Sequence, residues 1–201
     1  RNMLRFFFIY LLFCCFSHLV FAQTVTWAIP PTYESLEEYG DIYKIREHRK
    51  VGLADVTGKT LIPAVYDSIT PFHEHLALAL EYDGDKYSIK GIINQHNYGM
   101  VKIIERYYMT KEYPFFSEGK LVIFNESNKY GYLQPDGSLF KACQYRKTYP
   151  FYQGLACIQK KENEIAYLKT NGNELTTQLE SDKCILSKGS PFNEKGEAYV
   201  Q

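Results

Sequence analysis

The chain has 201 residues, and its 23 basic and 23 acidic side chains give a formal net charge of zero. No basic stripe or acidic tail interrupts that balance, which argues against nucleic acid as a partner. Aromatic residues are abundant, with 18 Tyr and 13 Phe. No long stretch places apolar residues at helical spacing, so the composition favours a β-rich protein.

The first 22 residues are predicted to be a secretory signal. Arg1 and Arg5 flank the start of an apolar stretch, Leu4–Val20, which contains no acidic residue. Val20-Phe21-Ala22 places small side chains at the two positions that signal peptidase reads before a cut at Gln23. We therefore expect export to the periplasm, the cell envelope or the extracellular space. An uncleaved membrane anchor is the alternative, because the stretch is nearly long enough to span a bilayer.

The remaining chain divides into a leader and a repeat domain. Residues 23–40 contain Pro30-Pro31 and are predicted to be an N-terminal leader. Residues 41–201 are predicted to be the repeat domain, with Ile42–Arg46 as a strand that caps its start. The sequence stops at Val200-Gln201, inside a predicted strand, so we expect the domain to be truncated and more repeats to follow.

A degenerate cassette recurs four times along residues 41–201. Its proline-aromatic steps are 43, 36 and 41 residues apart, at Pro71-Phe72, Pro114-Phe115, Pro150-Phe151 and Pro191-Phe192. Turn glycines keep the same rhythm at Gly58, Gly99, Gly137 and Gly172. A small residue precedes each of them, at Gly52, Gly91, Gly131 and Ala166. The gap between the two small positions is six residues in three copies and eight in the second, which predicts an insertion in that hairpin.

Each copy predicts about three short strands joined by turns. In the first copy, Leu76, Leu78 and Leu80 share one face, while Ala77 and Ala79 form a second face that is also packed. Asp-Gly and Asn-Gly steps supply the positive φ of tight hairpins. The fold is therefore predicted to be all-β, with about four three-stranded units in an open solenoid-like array. A partial β-propeller is the alternative, and the unequal spacings favour the open form.

The first and third copies resemble the WG repeat, a bacterial β-repeat named for a Trp-Gly pair. The resemblance lies in Lys50–Pro63 with Pro71-Phe72, and again in Lys129–Leu133 with Tyr149–Phe151. The tryptophan position is occupied by Val51, Lys90, Tyr130 and Ile165. The resemblance implies a β-rich array with an interaction role, and it supplies no catalytic residues.

Three cysteines remain after cleavage of the signal: Cys143, Cys157 and Cys184. Cys143 and Cys157 fall in one copy and are candidates for a bridge across strands. Alternatively, Cys157 occupies the position of Leu78 and acts as a buried apolar residue. We favour the absence of an essential disulfide.

One short motif suggests a metal site. On a strand, His73 and His75 of the His73-Glu74-His75 sequence would share a face and could both bind zinc. A catalytic zinc needs a third convergent ligand, and none is evident in the sequence. We therefore expect no metal and no cofactor.

The aromatic residues fall into two predicted classes. Those at one repeat position are assigned to the core: Phe72, Phe115, Phe151 and Phe192. Tyr82, Tyr108 and Tyr152 lie at less constrained positions and are candidates for a contact surface.

No catalytic or phosphate-binding motif is present in the sequence. The leading hypothesis is therefore an exported, non-enzymatic β-repeat module for protein–protein interaction or scaffolding. A glycan-binding surface is the first alternative, because tyrosine rings stack on sugars. The second alternative is an accessory region of a larger envelope protein.

Overall fold

The computed structural model describes residues 33–162 and 164–176 of the chain, and every regular element in them is a β-strand. The predicted signal, Cys184 and the Pro191-Phe192 step lie outside these residues. The seventeen strands are β1 Ser35–Tyr39, β2 Ile42–Glu47, β3 Lys50–Ala54, β4 Thr60–Tyr66, β5 Ser68–Ile69, β6 Leu76–Asp83, β7 Lys86–Asn94, β8 Met100–Lys102, β9 Tyr108–Met109, β10 Phe116–Ser117, β11 Lys120–Phe124, β12 Tyr130–Leu133, β13 Leu139–Tyr145, β14 Lys147–Thr148, β15 Leu155–Lys161, β16 Glu164–Lys169 and β17 Glu174–Thr176. The all-β repeat array predicted from the sequence is confirmed.

Successive copies share their sheets. In each copy the first strand pairs with the second (β3–β4, β7–β8, β12–β13 and β16–β17), all antiparallel. The chain then bends, and a short strand pairs with the third strand (β5–β6, β9–β11 and β14–β15). The third strand pairs with the first strand of the next copy (β6–β7, β11–β12 and β15–β16). The first and third copies therefore each span two sheets, and their three predicted strands are joined by a fourth, short one.

The described strands form three sheets, and the largest of them combines strands that would otherwise make two separate sheets. The sheets β1-β2-β3-β4 and β14-β15-β16-β17 each have four strands. Between them lies a nine-stranded sheet, because β9 pairs with β7 of the preceding sheet as well as with β11. The second copy therefore connects two sheets that the other copies keep separate.

The array begins earlier than predicted. Strand β1 starts at Ser35, inside the segment assigned to the leader, and pairs with all but the last residue of β2. This pairing satisfies the outer edge of β2, which would otherwise expose its amides and carbonyls. The strand predicted at Ile42–Arg46 is confirmed as β2, and the β1–β2 hairpin forms the first half of the first sheet.

Three cores follow one another along the array, and the third strands of the first and second copies each contribute to two of them. Ala77 and Ala79 pack with the first sheet, whereas Leu78 and Leu80 pack with residues of β7 and β11 in the central core. Leu121 and Val122 divide between two cores in the same way. Both faces of such a strand are buried, so its alternation of large and small residues reflects the space on each side.

In the first three copies, a glycine within the first strand lies close to the second strand. A Cβ on Gly52 would lie 2.5 Å from the Ile62 carbonyl oxygen, and one on Gly131 would lie 2.6 Å from that of Lys141. At both sites the partner strand bulges, with Pro63 in the bulge of edge strand β4. Gly91 differs, because its Cβ would instead meet the flexible Met100 side chain at 2.6 Å. The predicted turn glycines Gly58, Gly137 and Gly172 all have positive φ, whereas in the second hairpin Tyr98 rather than Gly99 takes it.

Candidate functional site

A pocket of about 260 Å³ lies where the two central sheets join. Its walls come from the start of β7, the end of β9, the loop that follows β9, and the facing ends of β11, β12 and β14. The lining residues are Asp85, Lys86, Tyr87, Met109, Thr110, Lys111, Glu112, Tyr113, Phe124, Tyr130, Lys147 and Thr148.

The pocket exists because the second copy is longer in two places. Five residues, 103–107, separate β8 from β9, whereas one residue separates β4 from β5 and β13 from β14. Two residues, Lys111-Glu112, are inserted between Thr110 and the Tyr113-Pro114 pair, where the third copy has Thr148-Tyr149-Pro150 without an insertion. Thr110 closes this loop, since its hydroxyl accepts from the Tyr113 amide and lies at the same 3.3 Å from the Tyr113 carbonyl.

Phe124 and Tyr130 form an aromatic wall of the pocket, and the buried Tyr108 ring stacks on Phe124. The centroids of Tyr108 and Phe124 are 5.3 Å apart, and those of Phe124 and Tyr130 are 5.6 Å apart. The Lys86 ammonium lies over the Tyr108 and Phe124 rings, at 5.2 and 5.5 Å from their centroids. It also donates to the Asn128 side-chain oxygen at 3.3 Å. Cation–π contact and this hydrogen bond hold Lys86 at the wall.

Opposite charges lie on the other side. Lys147 Nζ is 4.0 Å from a Glu112 carboxylate oxygen and 5.2 Å from the centroid of the Tyr149 ring. Burial raises the pKa of Tyr113, with a further contribution from Glu112. Lys111 is exposed, and no partner for its ammonium is found within residues 33–162 and 164–176. The pocket therefore combines an apolar aromatic wall with a polar rim of both signs.

The predicted contact tyrosines do not form one surface. Tyr82 is 52% exposed and its ring centroid is 5.1 Å from that of Tyr87 in the pocket wall. Tyr108 is only 4% exposed, because Phe124 and Lys86 cover its ring, so its assignment to an exposed surface is wrong. Tyr152 is half-buried and bridges to Leu155 in the turn of the third copy.

The recurrent aromatic position is also shifted by one residue in the second copy. Phe116 is 1% exposed and packs in the central core, as Phe151 does in the next core, whereas Phe115 is half-buried. Phe72 is half-buried against the first core. Alignment of the copies on Pro114 assigns Phe115 to the core, and this assignment is wrong. The positive-φ turn begins two residues after Phe72 and Phe151, and in the second copy it begins two residues after Phe116.

The two histidines of the His73-Glu74-His75 motif contact different aromatic rings. The His73 ring centroid is 4.8 Å from that of Phe115, and the His75 centroid is 4.5 Å from that of His96. In the described part of the chain, no group of three or more His, Cys, Asp or Glu side chains is placed to hold a metal ion. Cys157 is buried and Cys143 is half-buried, and the two form no disulfide. Burial raises the pKa of Cys143 to about 11.

Sequence reasoning missed most of the pocket. Lys86 and Phe124 lie at opposite ends of the second copy and Lys147 lies in the third, so they become neighbours only through strand pairing. The extra Lys111-Glu112 pair was the available signal, since it lengthens one connection relative to the third copy. Insertions in a repeat commonly map to loops on a binding face.

These features define a class: a β-repeat array in which neighbouring copies share antiparallel sheets and one irregular copy forms a pocket. Within the class, the WG containing repeat matches residues 52–84 and 130–163, in the first and third copies. The chain therefore carries repeats of the WG family.

Other comparisons add little to this assignment. No curated protein matches the chain. One similar solved structure is the computationally designed Ika8 protein, 13% identical, with a TM-score of 0.37. The match covers 72% of this chain and 49% of that one, about half of its length. Among the residues that the structure describes, no helix has the length and apolar character needed to cross a membrane.

Proposed function

We propose that this chain is an exported, non-catalytic interaction module that docks a protein partner through the pocket between its two central sheets. The observation that supports this function is the pocket itself, where an aromatic wall faces the Lys147–Glu112 pair. Protein interfaces are commonly anchored by one side chain inserted into an apolar pocket with a polar rim. The predicted signal at residues 1–22 supports export.

A protein side chain suits this wall better than a sugar ring. Carbohydrate stacking requires a free aromatic face, and Lys86 already covers the faces of Tyr108 and Phe124. Tyr82 is the strongest argument for the glycan alternative, because it is half-exposed beside Tyr87. A glycan would therefore contact the Tyr82–Tyr87 pair outside the pocket, whereas a protein anchor would enter the pocket.

The test is an affinity pull-down from cell-envelope extract with the parent chain and three variants as bait. Lys111→Glu reverses an exposed charge on the pocket rim, and Lys102→Glu makes the same change on β8, outside the pocket. We expect a protease-sensitive partner that the parent and Lys102→Glu retain and Lys111→Glu loses. Equal retention by both variants would contradict docking through the pocket. Retention that survives protease and is lost with Tyr82→Ala or soluble polysaccharide would favour the glycan alternative.

A further inference from the structure

Successive turns of the array are linked by glutamate side chains. The Glu74 carboxylate accepts hydrogen bonds from the backbone amides of Glu118 and Gly119, at 2.7 and 2.9 Å. The Glu118 carboxylate accepts in turn from the Gly154 amide, at 2.9 and 3.2 Å to its two oxygens. Each glutamate thus reaches from the turn before a third strand to the equivalent turn of the next copy.

These turns share one backbone geometry. Both turn residues have positive φ in each case, 49° and 61° at Glu74-His75, 50° and 66° at Glu118-Gly119, and 51° and 80° at Gln153-Gly154. Consecutive amides in such a conformation point to the same side and form a concave anion site. Two of the three turns receive a carboxylate from the preceding copy.

In the described part of the chain, the first turn does not receive one. The turn before it is Gly40-Asp41 of the β1–β2 hairpin, and by strand pairing Gly40 occupies the position of Glu74 and Glu118. This turn differs from the later ones in that Gly40 has positive φ and Asp41 does not. Among the described residues, no oxygen accepts from the amides of Glu74 and His75. A Cβ on Gly40 would meet no atom within 4 Å, so the space for the missing side chain is open.

A second set of contacts shows that the β1–β2 hairpin, like a later turn, reaches the copy that follows it. The Tyr39 hydroxyl, one residue before the turn, donates to the Thr70 carbonyl, and the Tyr39 ring is 5.1 Å from that of Phe72. The Ser117 hydroxyl likewise donates to the Phe151 carbonyl at 2.6 Å. Gly40 therefore stands where a glutamate would reach the Glu74-His75 turn.

The open space beside Gly40 is called the notch below. From this geometry we propose that the Glu74 and His75 amides, next to the notch, bind a carboxylate supplied by an acidic side chain of a protein partner. Residues 23–32, the first part of the predicted leader, contain no acidic side chain. Asp41 is exposed next to the notch and repels a second negative charge, so a single free carboxylate is expected to bind weakly. The site uses different residues from the pocket and does not depend on the proposed function.

The first test is an NMR titration of the chain with sodium acetate, at constant pH and ionic strength against sodium chloride. We expect saturable downfield shifts of the Glu74 and His75 amide protons. The Gly119 and Gly154 amides, already bonded to glutamates, should not respond. No saturable response at Glu74 and His75, or an equal response at Gly119, would overturn the site. A capped glutamate should displace acetate from the same amides, whereas its glutamine analogue should not.

Two variants extend the test. Gly40→Glu should shift both amides without acetate and remove the response, while Gly40→Gln carries the same backbone strain at φ +68 and should keep it. If Gly40→Glu retains the full response, the equivalence of the turns is wrong. Glu74→Ala vacates the second turn, so the Glu118 and Gly119 amides should become acetate-sensitive. This measurement tests the proposal even if both Gly40 variants fail to fold.

Discussion

The first and second copies differ in how the chain passes from the second strand to the short strand that follows it. In the first copy, a single residue, Asp67, connects the second strand β4 to the short strand β5, and β5 belongs to a different sheet from β4. We call this connection the corner of the copy. In the second, five residues intervene, and β9 folds back to pair with β7 as well as with β11. A short corner keeps neighbouring sheets apart, whereas a longer one joins them and opens a pocket. Irregularity within a repeat is therefore what distinguishes one part of this array from the rest.

The largest expected effect concerns the shifted aromatic position of the second copy. Phe116→Ala should cost about 4 kcal/mol of unfolding free energy, since it removes a 1% exposed ring from the central core. Phe115→Ala should cost about 1 kcal/mol, because its ring is half-buried beside His73. Urea unfolding followed by fluorescence measures both. Equal losses of unfolding free energy for the two variants would contradict the one-residue shift and support the alignment of the copies on Pro114.

The next largest expected effect compares the first-strand glycines of the regular third copy and the irregular second copy. Gly131→Ala should cost about 3 kcal/mol, because its Cβ would lie 2.6 Å from a backbone oxygen that cannot move without disrupting the β12–β13 pairing. Gly91→Ala should cost about 1 kcal/mol, because the Met100 side chain can change rotamer. Thermal and urea unfolding of the two variants provide the comparison. A Gly91 cost as large as that of Gly131 would show that the two copies are equally rigid there.

The smallest expected effect is a pH dependence confined to the first corner. The Lys50 ammonium, 2.6 Å away, and the Tyr82 amide lower the pKa of Asp67 from 3.8. Because the folded-state pKa is depressed, this stabilisation is present above pH 3.8 and is lost as the pH falls through the folded value. Asp67→Asn should therefore destabilise by less than about 1 kcal/mol at pH 7, since the pair is partly solvated, and by less still at pH 3.

The third copy supplies the control for this measurement, because its corner residue is Arg146. Urea unfolding of Arg146→Gln between pH 7 and pH 3 should follow the parent in parallel. A difference between Asp67→Asn and the parent that stays constant over this range would show that the ion pair does not couple to folding.

The sequence was most informative where copies agree. Alternation at Leu76–Leu80 predicted a strand packed on both faces, and Gly58, Gly137 and Gly172 marked hairpins, because periodicity and positive φ are local properties. It was least informative where a copy departs from the pattern. Phe115 was preferred over Phe116, and Tyr108 was expected at the surface, because both assignments depend on an insertion whose path is not local.

By itself, then, the sequence determined the β-repeat class, its hairpins and the alternation of its strands. The tertiary structure decided which copies share a sheet and where a pocket opens. It also decided that Glu74 and Glu118 reach 44 and 36 residues along the chain to link successive turns. The physical reason is range: turn chemistry and side-chain alternation act over a few residues, whereas sheet pairing and carboxylate contacts join residues that only the folded chain brings together.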